Sequence, residues 1–210
     1  MNRALTGLFL ALGLGLLVAA VATRLGEDPG AEAPSGLALL EPEPAEGALP
    51  ALRLARAGGG ELALEELRGR WLLLNFWATW CEPCLQELPH LAVLAGALAD
   101  LPVRLVLVSV DERWEEVSGL AAELERAAGM DPQGGRAMQV AAGLLQGKLP
   151  AVLLLHDPEE RASHALGTFK YPETWLVDPQ GRLRLRFVGA KAWGAQEAIA
   201  YLRAELGGPR

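Results

Sequence analysis

The chain has 210 residues, 51% of them hydrophobic and 21% charged, with 19 basic against 26 acidic side chains and a net charge of −7. That balance excludes a globally disordered chain. Without a Lys/Arg stripe it also argues against a nucleic-acid partner bound through phosphates, and two cysteines exclude both a disulfide scaffold and a four-cysteine zinc site.

Residues 4–23 carry no charge and lie between Arg3 and Arg24. Twenty helical residues rise about 30 Å, the thickness of a bilayer's hydrocarbon core. The stretch is longer than the apolar core of a secretory signal, about 7–15 residues. Residues 1–24 are therefore expected to form an uncleaved membrane anchor, with signal cleavage near Ala20-Val21-Ala22 as the alternative. Either way the rest of the chain crosses the membrane, and Arg3 favours a cytoplasmic amino terminus. The expected location is the inner membrane, with the domain facing the periplasm or an equivalent extracytoplasmic space; after cleavage it would be soluble and secreted. Residues 25–50 hold five prolines and six acidic residues with no Lys or Arg. Prolines stiffen a chain and like charges extend it, so this stretch reads as a spacer. Leu37-Ala38-Leu39-Leu40 is its one apolar stretch able to dock on a domain.

The folded unit is expected over 51–210. Leu52, Leu54, Leu62 and Leu64 alternate around Gly58-Gly59-Gly60, a hairpin pattern. Trp71–Ala78 is a nearly continuous apolar run, as in a strand covered on both faces. A helix follows over Cys81–Asp100, then a second buried strand at Val103–Val110. Apolar spacing predicts a helix over Trp114–Ala128, broken at Asp131-Pro132-Gln133-Gly134-Gly135. A further helix over Arg136–Gln146 and a strand at Ala151–Leu155 come next, then a helical stretch near Pro158–Leu166. Strands Thr174–Val177 and Leu183–Val188 are joined by the turn Asp178-Pro179-Gln180-Gly181, and Gln196–Leu206 closes as a helix. This order gives an α/β fold with a mixed central sheet flanked by helices. Residues 129–149 read either as a recognition insert or as an added helix.

Cys81-Glu82-Pro83-Cys84 stands where a buried strand hands over to a helix. Residues three apart on a helix are neighbours at a Cα separation a disulfide tolerates, so the pair can alternate between dithiol and disulfide. Pro83 fits the first turn, where its missing N–H costs nothing. The helix N-terminus favours a Cys81 thiolate. Cys81 then attacks a partner's disulfide, and Cys84 resolves the mixed disulfide. A static disulfide would close too small a loop to constrain the unfolded chain much. A metal would need more ligands than the cysteines with His90, His156 or His164, although a copper site of Cys81, Cys84 and one His stays open. No cofactor and no metal are expected.

The segment from Asn75 to Pro89 (NFWATWCEPCLQELP) resembles the active-site segment of the TlpA/ResA/DsbE-like thioredoxins, membrane-anchored extracytoplasmic thiol-disulfide oxidoreductases of which many serve cytochrome c maturation. The likeness covers roughly 51–111 and 150–206. It implies a thioredoxin-like fold with an extra N-terminal β-hairpin. It also implies that Tyr171-Pro172-Glu173-Thr174 is the family's cis-proline loop, with Tyr171 and Pro172 presenting backbone to a client's extended chain. Trp80 and Pro83 flank the thiols on the same client side. Glu87 matches an acidic residue that sits near the thiols in this family, where a carboxylate raises a thiol's pKa and relays a proton. Asn75 stands where cytoplasmic thioredoxins carry a buried Asp. Glu82 and Glu173 are expected to add an acidic rim around Cys81, while Trp193 has no role that the sequence supplies.

The resulting expectation is a thiol-disulfide oxidoreductase that reduces selected protein disulfides, such as those of apocytochrome c, and is recharged by a membrane thiol electron donor. An oxidant of folding proteins is the competing enzyme, and a copper-binding thioredoxin-fold module the competing non-enzyme.

Overall fold

The computed structural model of the chain describes residues 35–130 and 135–207. The expected anchor, the first part of the acidic stretch and the break at 131–134 lie outside these residues. Among the described residues no helix is long and apolar enough to cross a membrane.

The fold is built on β4 (Trp71–Trp77), in which all seven residues are buried. Side chains alternate across a strand. Accordingly Trp71, Leu73 and Trp77 enter one apolar cluster and Leu72, Leu74 and Phe76 the other. β4 pairs in parallel with β5 (Val103–Ser109), and β5 in parallel with β6 (Val152–His156). On its other side β4 runs antiparallel to β7 (Glu173–Val177), which forms a hairpin with β8 (Leu183–Val188). The hairpin of β2 (Arg53–Arg56) and β3 (Glu61–Ala63) extends the sheet beyond β6. With β1 (Glu43–Pro44) on β8, the order is β1-β8-β7-β4-β5-β6-β2-β3.

One face of the sheet is covered by α2 (Glu82–Ala97), α3 (Trp114–Met130), α4 (Gly135–Leu145) and α6 (Gln196–Gly207). The opposite cluster takes Leu64 and Leu67 of a 3₁₀ turn and Ala162 of α5 (Arg161–Leu166). The mixed sheet with helices on both faces and the N-terminal hairpin are as expected. α5 starts later than the sequence suggests. Glu160 takes left-handed backbone, and the Asp157 carboxylate accepts the Ala162 N–H at 2.7 Å, which sets the helix start there. Residues 129–149 contain the added helix α4, whose Ala141, Leu144 and Leu145 are buried in the α2 cluster.

The stretch 36–49 departs from the expected spacer and packs onto the domain. α1 (Gly36–Leu40) begins at Ser35, whose Oγ accepts the Ala38 N–H at 3.2 Å, and it lies against α6. Gly36 is required there, because a Cβ would run into the Glu197 carbonyl oxygen. Leu40 and Leu49 are buried in opposite clusters. Two well-placed leucines outweigh the intervening prolines and acids, and Pro44 is tolerated because β1 is an edge strand.

Candidate active site

β4 ends at Trp77, and the chain turns through Ala78–Trp80 into α2. The turn is fastened from the end of β5, since Asp111 accepts from the Thr79 N–H at 2.9 Å, the Thr79 hydroxyl at 2.6 Å and the Ser109 hydroxyl at 2.8 Å. Asp111 is fully buried, so these bonds hold the residues before Cys81 to the sheet.

Cys81 is the N-cap of α2, and its Sγ accepts the Cys84 N–H at 3.3 Å. Cys81 and Cys84 form a disulfide with Cα atoms 5.2 Å apart. Cys81 keeps 6% of its surface exposed and Cys84 none. Cys81 is thus the less enclosed of the two. Pro83 occupies the first turn and is exposed. α2 runs on through Pro89.

The surface beside Cys81 is aromatic. Trp80 is 65% exposed and meets Tyr171 edge-on with ring centroids 6.0 Å apart. The Tyr171–Pro172 peptide bond is cis. The ring contact sets this loop beside the residue preceding Cys81, which brings Trp80, Tyr171 and Pro172 together. Tyr171 donates its hydroxyl to Glu160 at 2.6 Å, and burial together with that carboxylate pushes the phenol up to about 12.

Glu87, one turn past Cys84, is buried. Asn75 lies on the α2 face of β4, and its Nδ2 donates to Glu87 Oε1 at 2.8 Å. Glu87 Oε2 accepts the Trp193 indole N–H at 3.0 Å and the Lys191 backbone N–H at 3.2 Å. Burial pushes the carboxyl from 4.5 up to about 7, although these donors and the Lys191 ammonium pull the other way. A carboxyl poised there exchanges protons near neutral pH.

Sequence reasoning missed Trp193 and Lys191 as neighbours of Glu87. The expected acidic rim is also corrected. Glu82 is exposed and accepts from Gln86 Nε2 at 3.2 Å, but Glu173 is fully buried in β7. There it accepts from the Thr168 hydroxyl and from the Arg186 guanidinium at 2.7 Å. Its charge is paired inside the sheet and does not reach the surface beside Cys81. Among the described residues no three His, Cys, Asp or Glu side chains cluster as metal ligands. A cleft of about 350 Å³ lined by Arg70, Ala99, Arg104 and Pro150 lies at the far end of β4 and β5, away from the disulfide.

A helix-capping Cys-x-x-Cys disulfide with a cis-proline loop beside it, on a sheet of this order, defines a thioredoxin-like protein of the dithiol class. The chain belongs to the AhpC/TSA family, whose sequence model matches residues 46–186. It is similar to the thiol-disulfide oxidoreductase ResA of Bacillus subtilis, 27% identical over 134 residues, which is 64% of this chain and 62% of that one. ResA of Bacillus cereus is 35% identical over 134 residues, 62% of each chain. The matched region thus spans less than two thirds of these relatives' length. The fold is shared with a thiol:disulfide interchange protein of a Bacteroides species, with TM-score 0.57 and 18% identity over 79% of this chain and 92% of the other. It is also shared with a DsbE-like protein of Chlorobium tepidum, with TM-score 0.56 and 22% identity over 79% of this chain and 100% of the other.

Proposed function

We propose that the protein is an extracytoplasmic thiol-disulfide oxidoreductase that reduces disulfides of selected partner proteins through Cys81 and Cys84. The observation that carries this reading is the asymmetry of the disulfide, with Cys81 at the helix N-terminus keeping a small exposed surface and Cys84 fully enclosed, one turn before a buried carboxyl. In the reduced protein the Cys81 thiolate attacks a client disulfide, forming a Cys81–client bond and releasing the client's other sulfur as a thiolate. The Cys84 thiol passes its proton to Glu87, and the resulting thiolate attacks the Cys81 sulfur. The client leaves with both sulfurs reduced, and Cys81 and Cys84 are left as the disulfide. A dithiol donor at the membrane restores the reduced pair by the reverse exchange. Trp80, Tyr171 and Pro172 hold the client's extended chain against Cys81, and Pro83 borders the same surface.

Apocytochrome c cysteines fit as clients, because the sequence around Pro172 follows that of cytochrome-maturation thioredoxins. The apolar stretch 4–23 supports tethering to the inner membrane, with the domain on the extracytoplasmic side. An oxidant of folding proteins would instead show a reduction potential near or above about −180 mV.

Trapping tests the reading. A reduced Cys84→Ser variant, exposed to an oxidised client, is expected to hold it as a stable Cys81 mixed disulfide detectable by mass spectrometry. Absence of the adduct, or turnover surviving in Cys81→Ser, refutes the proposal.

A further inference from the structure

The two oxygens of Glu87 stand in unlike surroundings. Oε2 faces groups that only donate, the Trp193 indole N–H and the Lys191 backbone N–H. Oε1 faces the Asn75 amide, whose Nδ2 donates to it at 2.8 Å and to the Thr174 hydroxyl oxygen at 3.0 Å. The other end of that amide, Oδ1, is buried and has no hydrogen-bond partner among the described residues. An amide reverses end for end with almost no change of shape. Once reversed, Asn75 Oδ1 stands where Nδ2 stood. It then accepts from a protonated Glu87 Oε1, and from the Thr174 hydroxyl rotated to donate. The oxygen facing Asn75 is therefore served in both protonation states, whereas a proton on Oε2 would collide with two fixed donors.

We propose that Asn75, Lys191 and Trp193 are positioning residues that confine the exchangeable proton of Glu87 to Oε1, the Asn75 amide reversing as that proton comes and goes. The inference rests on the reading of Glu87 as the proton acceptor for Cys84. The surrounding groups are few. On α2 itself Cys84 lies one turn earlier, and His90 one turn later has its ring against Gly194. The loop after β8 brings Lys191, whose ammonium is held at 2.8 Å by Glu41 just after α1. β4 and β7 bring the neutral side chains Asn75 and Thr174.

Carboxyl-labelled glutamate NMR of the oxidised full-length protein tests the arrangement, because the paired cysteines do not titrate. The Glu87 signal is identified by its loss in Glu87→Gln. Trp193→Phe removes a donor from the charged form, and Lys191→Met removes a cation beside it. Trp193→Phe is expected to raise the Glu87 midpoint by about half a pH unit or more, Lys191→Met, which keeps the backbone donor, to raise it by less, and the Asn75 side-chain amide signals to follow the wild-type midpoint. A merely structural role would lower the melting temperature and leave the midpoint in place. Unmoved midpoints in both variants, or Asn75 signals that ignore the Glu87 titration, overturn the inference. Failure of the underlying reading looks different, because Glu87→Gln would then leave the pH profile of client reduction unchanged whatever the NMR midpoints do.

Discussion

The buried carboxyl of Glu87 makes the protein's stability depend on pH in a calculable way. Its pKa is about 7 in the folded state against 4.5 for a free side chain, and burial is the cause. The folded state therefore binds more protons than the unfolded state between these values. Stability is highest below pH 4.5 with respect to this group, falls as pH rises, and has lost the whole contribution above pH 7. The full shift corresponds to about 3 kcal/mol. Most of that, about 2–3 kcal/mol, is realised between pH 5 and pH 8. Gln at this position keeps the shape and cannot ionise. Glu87→Gln is thus expected to gain about 2–3 kcal/mol relative to wild type on going from pH 5 to pH 8, a relative rise in Tm of about 5–10 °C. Guanidinium unfolding of both oxidised proteins at the two pH values reads this directly. Other titrating groups cancel in the double difference, and the cysteines are silent while paired. A stability difference that is the same at both pH values would refute the argument that burial governs this carboxyl.

Other perturbations probe the frame around the disulfide. Arg186→Met strands the fully buried Glu173 carboxylate without its guanidinium partner, so a loss of about 3 kcal/mol is expected by chemical denaturation. Asp111→Asn points an amide N–H₂ at donors that now meet a carboxylate; it is expected to cost about 1–3 kcal/mol and to slow exchange with a client disulfide, read as the second-order rate constant. Gly36→Ala pushes a methyl into the Glu197 carbonyl. It is expected to free the stretch 36–49, seen as new proteolytic cuts there while the sheet stays protected.

The strand–helix boundary at Cys81 was legible because an unbroken apolar run, a capping position and a first-turn proline all agree locally. The β7–β8 hairpin was legible for the same reason, since Asp178-Pro179-Gln180-Gly181 carries its own turn chemistry. The cradle of Glu87 was not. Lys191 and Trp193 lie 104 and 106 residues from it, and no periodicity marks the loop that carries them. Asn75 was noted as an exception to a buried aspartate, but its reach to Glu87 depends on which face of β4 it occupies. Glu173 was misread because its partner Arg186 sits across a hairpin and the charge looked free. The docking of residues 36–49 was legible only at the apolar stretch Leu37–Leu40; Leu49 was hidden by composition, because a single leucine carries little weight against prolines and acids.

The short strand Glu43–Pro44 lies along β8 and ends the sheet. A bare β8 would offer a ladder of amides and carbonyls to any passing extended chain, including another copy of itself. Closing it with two exposed residues, one acidic and one lacking an amide hydrogen, leaves this edge little for a further strand to grip. A version of the protein trimmed to start at residue 51 is therefore expected to clump on mild heating, even with its reacting sulfurs untouched.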